Sequence, residues 1–202
     1  MNHSPEKKPP SLTREHILQA AGRLVATEGV SALTLDAVAK SAGISKGGLL
    51  YHFPSKEALM LAMIDSRHEW ITLAHKEERE RLADPIGPGS WHRALINVGF
   101  QHSHGCDDVT ADMLAVVAQE PSYQKRLLEG LADWIALRQK DGVERAVSNL
   151  IHTSLDGIKF HKIIGLPTSP EEELEDLKAL LHRLVDESIS RNQHSNSHRE
   201  SA

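Results

Sequence analysis

Apolar residues recur every three or four positions along most of this 202-residue chain, which is the spacing of one face of an α-helix. No segment shows the strict alternation of apolar and polar residues that is typical of a half-buried strand. The pattern therefore predicts an all-α fold of about nine helices. Glycine, proline and capping residues divide it into helices at about residues 13–28, 34–43, 45–53, 55–82, 91–104, 108–119, 122–140, 142–164 and 170–190.

The first three predicted helices are short and follow one another closely. Thr34 and Ser45 can each cap a helix by accepting hydrogen bonds from free backbone N–H groups, and a glycine lies in the turn between these helices. Two capped helices joined in this way are typical of a helix-turn-helix, here at residues 34–53, TLDAVAKSAGISKGGLLYHF. Gly47 and Gly48 each cost the second helix about 1 kcal/mol, yet they leave room for close approach to its backbone.

These patterns divide the chain into four parts. Residues 11–56 are predicted to form a three-helix domain that contains the helix-turn-helix, and residues 57–190 a second helical domain. The two ends, residues 1–10 and 191–202, are polar and poor in apolar side chains. We therefore expect a flexible arm at the first end and a disordered tail at the second.

The composition is that of a globular protein, with 40% hydrophobic and 25% charged residues. The one cysteine, Cys106, cannot form an internal disulfide, and the first residues lack the apolar core of a signal peptide. No apolar run is long enough to span a membrane. These features predict a cytoplasmic protein that does not enter a membrane.

The net charge of −5 is unevenly distributed. Residues 1–56 carry seven Lys and Arg against four Asp and Glu, whereas residues 57–202 carry sixteen against twenty-four. A polyanion such as DNA would be attracted to the first part and repelled by the second, because phosphate contacts dominate such binding. The imbalance is modest, so it is compatible with DNA binding without requiring it.

The segment TLDAVAKSAGISKGGLLYHFPSKEAL, with its surroundings from about residue 13 to residue 62, resembles the N-terminal domain of the tetracycline-repressor (TetR) family of transcriptional regulators. The resemblance implies a DNA-binding helix-turn-helix domain, followed by a helical domain that binds a small molecule and forms a homodimer. It implies a repressor that leaves its palindromic operator when the effector binds, with no enzymatic activity and no cofactor. Leu50 stands where the family usually has a tyrosine.

The same resemblance implies which residues contact double-stranded operator DNA. They are Thr34, Ser45, Lys46, Gly47, Gly48, Tyr51, His52 and Lys56. The residues themselves support the two lysines: a lysine in the first turn of a helix opposes the helix dipole, so Lys46 and Lys56 are better explained by an external anion. Tyr51 and His52 could equally be core residues with a satisfied polar tip.

Long apolar stripes on the last two predicted helices can pack into the core or against a second subunit. The resemblance favours a two-fold dimer, whose two recognition helices would match a palindromic operator. The predicted dimer interface consists of Ile151, Leu155, Ile158, Leu174, Leu177, Leu181, Leu184 and Val185.

The second domain combines aromatic and apolar residues with a few polar ones, a mixture that suits an apolar pocket with orienting groups. The candidate effector-binding residues are Met63, Arg67, Trp70, Phe100, His104, Met113, Val117, Trp134 and His152. Each of them could instead be an ordinary core residue.

The segment HSHGC offers three soft metal ligands, His102, His104 and Cys106. Its spacing matches no known zinc module, so we predict no metal site, and a regulator that senses metal or oxidation through these residues is an alternative. A helical enzyme that acts on small molecules is a more distant alternative, because the sequence contains no recognisable catalytic pair.

Overall fold

The structure, a computed structural model, describes residues 10–101, 111–167 and 169–200. These residues form nine α-helices and one 3-10 turn (Val30–Ala32) and no strand, which confirms the predicted all-α fold. None of the described helices combines the length and the apolar composition needed to cross a bilayer. The helices are α1 (Pro10–Glu28), α2 (Leu35–Ser41), α3 (Lys46–His52), α4 (Lys56–Glu80), α5 (Ser90–Phe100), α6 (Ala111–Gln119), α7 (Pro121–Lys140), α8 (Arg145–Ile163) and α9 (Glu171–Glu200).

The chain folds into two compact units. Of the described residues, 10–67 and 111–127 belong to the N-terminal unit, and 68–101, 128–167 and 169–200 belong to the C-terminal unit. This division differs from the predicted boundary at residue 56. The reason is that Met60 at the start of α4 and Met113 on α6 are buried in the same apolar core as α1, so these segments belong to the N-terminal unit.

The core of the N-terminal unit contains one side of α1. Five apolar residues on that side are at most 7% exposed: Ile17, Ala20, Ala21, Leu24 and Val25. Because these positions are three or four residues apart, they line one side of the helix, and burial of that side stabilises α1 far more than helix propensity does.

Helices α5, α8 and α9 pack together to form the core of the C-terminal unit. Ile96 on α5, Ile151 on α8 and Val185 on α9 are fully buried there. The Leu155 side chain of α8 packs directly against Gly99 of α5, since a Cβ atom at this position would lie only 2.6 Å from Cδ2 of Leu155. A larger residue at position 99 would therefore displace the Leu155 side chain.

A buried polar network ties the start of α5 to the end of α7 and to α8. The Asp141 carboxylate accepts hydrogen bonds from the backbone N–H groups of Trp91 and His92, both at 3.0 Å. The His92 ring lies between two partners, with Nδ1 2.6 Å from Asp141 Oδ2 and Nε2 2.8 Å from Ser148 Oγ. Asp141 thus caps α5 from a distant part of the chain and orients the His92 ring.

Two of the helix ends that differ from the predictions have a clear physical cause. Helix α8 was predicted from residue 142 but begins at Arg145, because Gly142 has a φ of 79° and Glu144 is extended, which excludes both from the helix. The expected disordered tail is instead helical as far as Glu200. Extending an existing helix costs little, and contacts to the loop before α8 fix the first tail residues: Asn192 Nδ2 donates to Gly142 O at 2.9 Å.

Candidate nucleic-acid interface

Two side-chain caps set the starts of α2 and α3. Thr34 Oγ1 accepts a hydrogen bond from the N–H of Ala37, and Ser45 Oγ accepts one from Gly48, both at 3.1 Å. The turn between the helices contains Gly43, whose φ of 64° is a left-handed conformation that glycine adopts without strain. The predicted caps and the predicted helix-turn-helix are confirmed.

Side chains from α1 hold the helix-turn-helix in place. Leu49 on α3 and Phe53 just after it are 0% and 2% exposed, so they anchor one side of α3 in the N-terminal core. The guanidinium carbon of Arg14 lies 5.4 Å from the centre of the Phe53 ring, a cation–π contact. His16 Nε2 donates to the carbonyl of Ala42 at 3.1 Å, in the turn itself. These contacts make α3 a rigidly supported element.

The other side of α3 is open. Tyr51 is 80% exposed and Leu50 38%, and no atom lies within 4 Å of the position that a Cβ atom on Gly47 would occupy. Because residues three and four apart share a helix face, Gly47, Leu50 and Tyr51 form one surface, called here the α3 open face. His52 is half-buried, and its ring meets the Tyr51 ring edge to face at 5.1 Å. Tyr51 is therefore not a core residue.

The two lysines predicted to contact DNA differ in their surroundings. Lys46 Nζ lies 2.9 Å from Asp36 Oδ2 on α2, and more than half of each side chain is exposed. Lys56, exposed at the start of α4, makes no hydrogen bond or ion pair with any other residue that the structure describes. An external anion is therefore the better explanation for Lys56 at its helix start. Lys46 already has a carboxylate partner within the protein, Asp36.

The candidate effector-binding residues are divided between the two units. Those in the N-terminal unit are Met63, Arg67, Met113 and Val117. Those in the C-terminal unit are Trp70, Phe100, Trp134 and His152. Met63, Met113 and Val117 are buried in the N-terminal core, which is the alternative that the sequence left open for them. Phe100 and Trp134 pack against the core of the C-terminal unit.

A cluster of rings surrounds Trp91 in the C-terminal unit. The ring centres of His75, His92, Trp134 and His152 lie 5.1, 5.0, 5.6 and 5.6 Å from that of Trp91, and His152 stacks on it at 26°. These five residues are called here the Trp91 cluster. Trp134 and His152 are among the candidates predicted from the sequence. His75, Trp91 and His92 are not, because their spacing along the chain gives no sign that these residues lie together.

One solvent-shielded nitrogen of the Trp91 cluster has no hydrogen-bond partner among the described residues. His75 Nε2 donates to the Trp91 carbonyl at 2.9 Å, but Nε2 of His152 is shielded from solvent and makes no hydrogen bond with the described residues. Burial lowers the pKa of His152 to about 4, and the nearby positive charges of Arg138 and Lys159 act in the same direction. The His152 ring is therefore neutral at neutral pH, and the hydrogen-bonding capacity of its buried Nε2 is unused among the described residues.

The buried Asp141, His92 and Ser148 are the residue types of a hydrolytic triad, but their arrangement does not suit catalysis. Each is at most 8% exposed, and the Asp141 carboxylate also caps α5. A substrate therefore has no access to the Ser148 hydroxyl. Within the described residues no group of three or more His, Cys, Asp or Glu could hold a metal ion, and His102, His104 and Cys106 lie outside those residues.

The predicted dimer interface needs correction. Ile151, Leu155, Leu181 and Val185 are at most 2% exposed because they form the core between α5, α8 and α9. Leu177 and Leu184 pack against the same core, and Ile158 and Leu174 are half-buried. Other apolar residues on or directly after these helices are exposed: Leu150, Phe160, Ile164 and Leu180 are 38–52% exposed. The 3.6-residue period identified an apolar stripe but not whether it faces the core or the outside.

Comparisons with known proteins agree on one family. A family model described as bacterial regulatory proteins, tetR family, matches residues 17–63, and a second, described as the tetracyclin repressor-like C-terminal domain, matches residues 89–186. The HTH-type transcriptional regulator TtgR of Pseudomonas putida is 40% identical over 76 residues, which are 37% of this chain and 36% of the relative. The match to this curated relative thus spans about a third of its length.

Solved structures resemble the fold over most of its length. The transcriptional regulator SCO7518 of Streptomyces coelicolor superposes with a TM-score of 0.62 at 21% identity, over 89% of this chain and 97% of that one. The multidrug binding protein EbrR, in complex with malachite green, gives 0.59 at 23% identity over 85% and 96%. The two family models together match more than half of the residues, and the chain belongs to the TetR family of bacterial regulatory proteins.

Proposed function

We propose that this protein is a DNA-binding transcriptional repressor that acts as a homodimer and leaves a palindromic operator when a small molecule binds in its C-terminal unit. The observation that supports DNA binding most strongly is the α3 open face. Gly47 and Gly48 lower the stability of a seven-residue helix, and the first of them leaves its backbone uncovered. Such a helix suits an element that must approach the major groove closely.

In the proposed complex α3 lies in the major groove with the α3 open face towards the bases. Thr34 and Ser45 use their oxygen lone pairs for the caps, so their hydroxyl protons are left to donate to phosphate oxygens. Lys46 and Lys56 contact the phosphates with their positive charges. For Lys46, the phosphate competes with the carboxylate of Asp36 for the ammonium group. Gly48 and His52 lie beside these contacts on the same short helix.

The DNA-contact proposal can be tested with a duplex enriched from a random library by the purified protein. Lys56→Ala should weaken binding to all sequences about equally and reduce the salt dependence by about one counterion, because one phosphate contact is lost. Lys76→Ala, which removes an equally charged and exposed lysine from α4, is the matched control. If Lys56→Ala and Lys76→Ala had the same affinity as the parent across a salt series, Lys56 would not contact DNA.

We place the effector site at the Trp91 cluster. The unpartnered Nε2 of His152 offers one hydrogen bond, and the surrounding rings offer an apolar environment. The positive charges of Arg138 and Lys159 near His152 favour a neutral or anionic effector over a cationic one. Trp91 and Trp134 should report binding by a change in fluorescence, and His152→Phe should weaken a hydrogen-bonding effector while keeping the ring stack.

The repressor mechanism requires that effector and operator weaken each other. A coupling of about 1–3 kcal/mol, or 5- to 150-fold in affinity, is typical of such switches, and it must be the same in both directions. A compound found by tryptophan fluorescence is therefore titrated twice, once into free protein and once into the operator complex. Equal affinities in the two titrations would mean that the compound does not release the operator.

We propose that the homodimer forms through the exposed apolar face of α8 and α9, called here the α8–α9 face: Leu150, Phe160, Ile164 and Leu180. On α8 this face includes Gly157, where a Cβ atom would have no neighbour within 4 Å, so another helix could approach closely. Two-fold symmetry would pair α8 and α9 with the same helices of a second subunit. The dimer would then present two α3 helices to the two halves of a palindrome.

A further inference from the structure

The centre of the α3 open face is occupied by an aliphatic side chain. Leu49 and Leu50 are neighbours on α3, but Leu49 is fully buried and Leu50 is 38% exposed, so Leu50 contributes nothing comparable to the core. It lies one turn after the uncovered Gly47 and next to Tyr51. A solvated leucine at the middle of the surface proposed to enter the groove calls for an apolar partner there.

The major groove offers one such partner. Guanine, cytosine and adenine present hydrogen-bonding groups and C–H bonds at their major-groove edges but no methyl group, whereas thymine presents its C5 methyl group. A leucine side chain can neither donate nor accept a hydrogen bond, so against the other bases it would displace water from polar groups without replacing their hydrogen bonds. Against a thymine methyl the same side chain gains apolar contact and loses nothing.

We propose that Leu50 is a specificity-determining residue that contacts the C5 methyl group of one thymine in each operator half-site. This inference rests on the proposed DNA-binding function and adds a base preference to it. Because Leu50 is rigidly supported through Leu49 and Phe53, its reach is limited to one base pair rather than spread over several. Loss of one buried methyl group is expected to weaken binding about fourfold, and loss of one in each half-site about fifteenfold.

The test uses deoxyuridine, which pairs like thymidine and lacks only the methyl group. In the enriched palindrome, symmetric pairs of thymines are replaced by uracil one pair at a time, and affinity is measured by fluorescence anisotropy for the parent, Leu50→Ala and Tyr51→Phe. The parent should lose about fifteenfold at one symmetric pair. Leu50→Ala should bind the unmodified duplex more weakly and be insensitive to uracil at that same pair, whereas Tyr51→Phe should keep the sensitivity.

Three results would overturn the inference. If the parent discriminates the palindrome from scrambled DNA but tolerates uracil at every position, DNA binding stands and the role of Leu50 does not. If Leu50→Ala keeps the uracil sensitivity of the parent, another residue contacts the methyl group. Failure of the parent to prefer any duplex would overturn the proposed function as well. Thermal unfolding of Leu50→Ala, expected to stay close to that of the parent because Leu50 lies outside the buried core, separates loss of contact from loss of fold.

Discussion

At the level of single residues, the stability of α3 and the accessibility of its backbone require different side chains. A helix of seven residues is stabilised by good helix formers, yet this one contains two glycines near its start. Its capping serine and its buried Leu49 compensate in part, because a cap contributes about 1 kcal/mol and a buried leucine more than that. The conflict is understandable if the uncovered backbone at Gly47 serves binding rather than folding.

Replacing Gly47 by Ala should therefore have opposite effects on stability and on DNA affinity. The new methyl group meets no atom within 4 Å, so the free energy of unfolding should rise by up to about 1 kcal/mol through helix propensity. The same methyl group would hold the DNA away from the helix backbone and weaken binding. Chemical denaturation and anisotropy on the same preparation measure both quantities, and unchanged or improved affinity would contradict close approach at Gly47.

The ion pair between Lys46 and Asp36 should weaken DNA binding. An exposed pair of this kind contributes little to stability, about 0–1 kcal/mol, but it places a negative charge beside the proposed phosphate contact. Asp36→Asn should leave the melting temperature nearly unchanged and strengthen DNA binding, most clearly at low salt. Binding that is weakened by Asp36→Asn would indicate that Asp36 positions Lys46 rather than competing with the DNA for it.

At the scale of helices, the C-terminal unit is organised by buried polar groups as well as by its apolar core. Hydrogen bonds of 2.6–3.0 Å join Asp141, directly after α7, to His92 on α5, and His92 to Ser148 on α8. Both ring nitrogens of His92 therefore have a hydrogen-bond partner. Beside them His152 remains neutral and unpartnered at Nε2. A folded state that keeps His152 neutral disfavours its protonation, which makes the stability of the unit dependent on pH.

The sign of that dependence follows from the pKa of His152, which is about 4 in the folded state against about 6.5 when unfolded. Between these values the unfolded chain binds more protons, so stability is complete above pH 6.5 and falls towards pH 4, by at most about 1.4 kcal/mol per pH unit for one group. His152→Phe should reduce this loss, measured by denaturation at pH 7 and pH 5. His161→Phe, at an exposed position on the same helix, is the control, and equal acid sensitivity in all three proteins would exclude a contribution from His152.

The sequence predicted the elements of this fold better than their contacts. Local signals such as the caps at Thr34 and Ser45 and the turn at Gly43 act within a few residues, so reading the chain in order finds them. The bond from His92 to Ser148 joins residues 56 positions apart and has no local signal. The tail was missed for another reason: its polar composition argues against a core, yet it extends a helix that already exists.

At the scale of the whole molecule, the proposed function depends on pairing two copies of the chain. Four of the residues predicted for the interface are core residues of the C-terminal unit, and Leu181, at 1% exposure, is one of them. An aspartate there would remove a core leucine and bury a charge, so it would test stability rather than assembly. The exposed α8–α9 face permits a cleaner test, because changes there leave the core intact.

Phe160→Asp should convert the dimer into a monomer without unfolding it. The side chain is 52% exposed in the isolated chain, so a charge there is tolerated in the monomer but would be buried unpaired at a two-fold interface. Sedimentation at micromolar concentration checks the mass, and circular dichroism checks the helix content. Ile86→Asp, in an exposed loop at 88% exposure, is the control that should remain dimeric. A dimeric Phe160→Asp protein would exclude the α8–α9 face.

One titration tests directly whether this chain binds an operator as a dimer through α3. A palindromic duplex enriched by the protein and a scrambled duplex of the same composition are titrated by anisotropy at about 0.15 M salt, with sedimentation of the complex to count protomers. A dimer that reads the palindrome should bind as two protomers per duplex and prefer the palindrome to the scrambled duplex by at least about 1,000-fold. Equal affinity for the two duplexes would contradict this prediction.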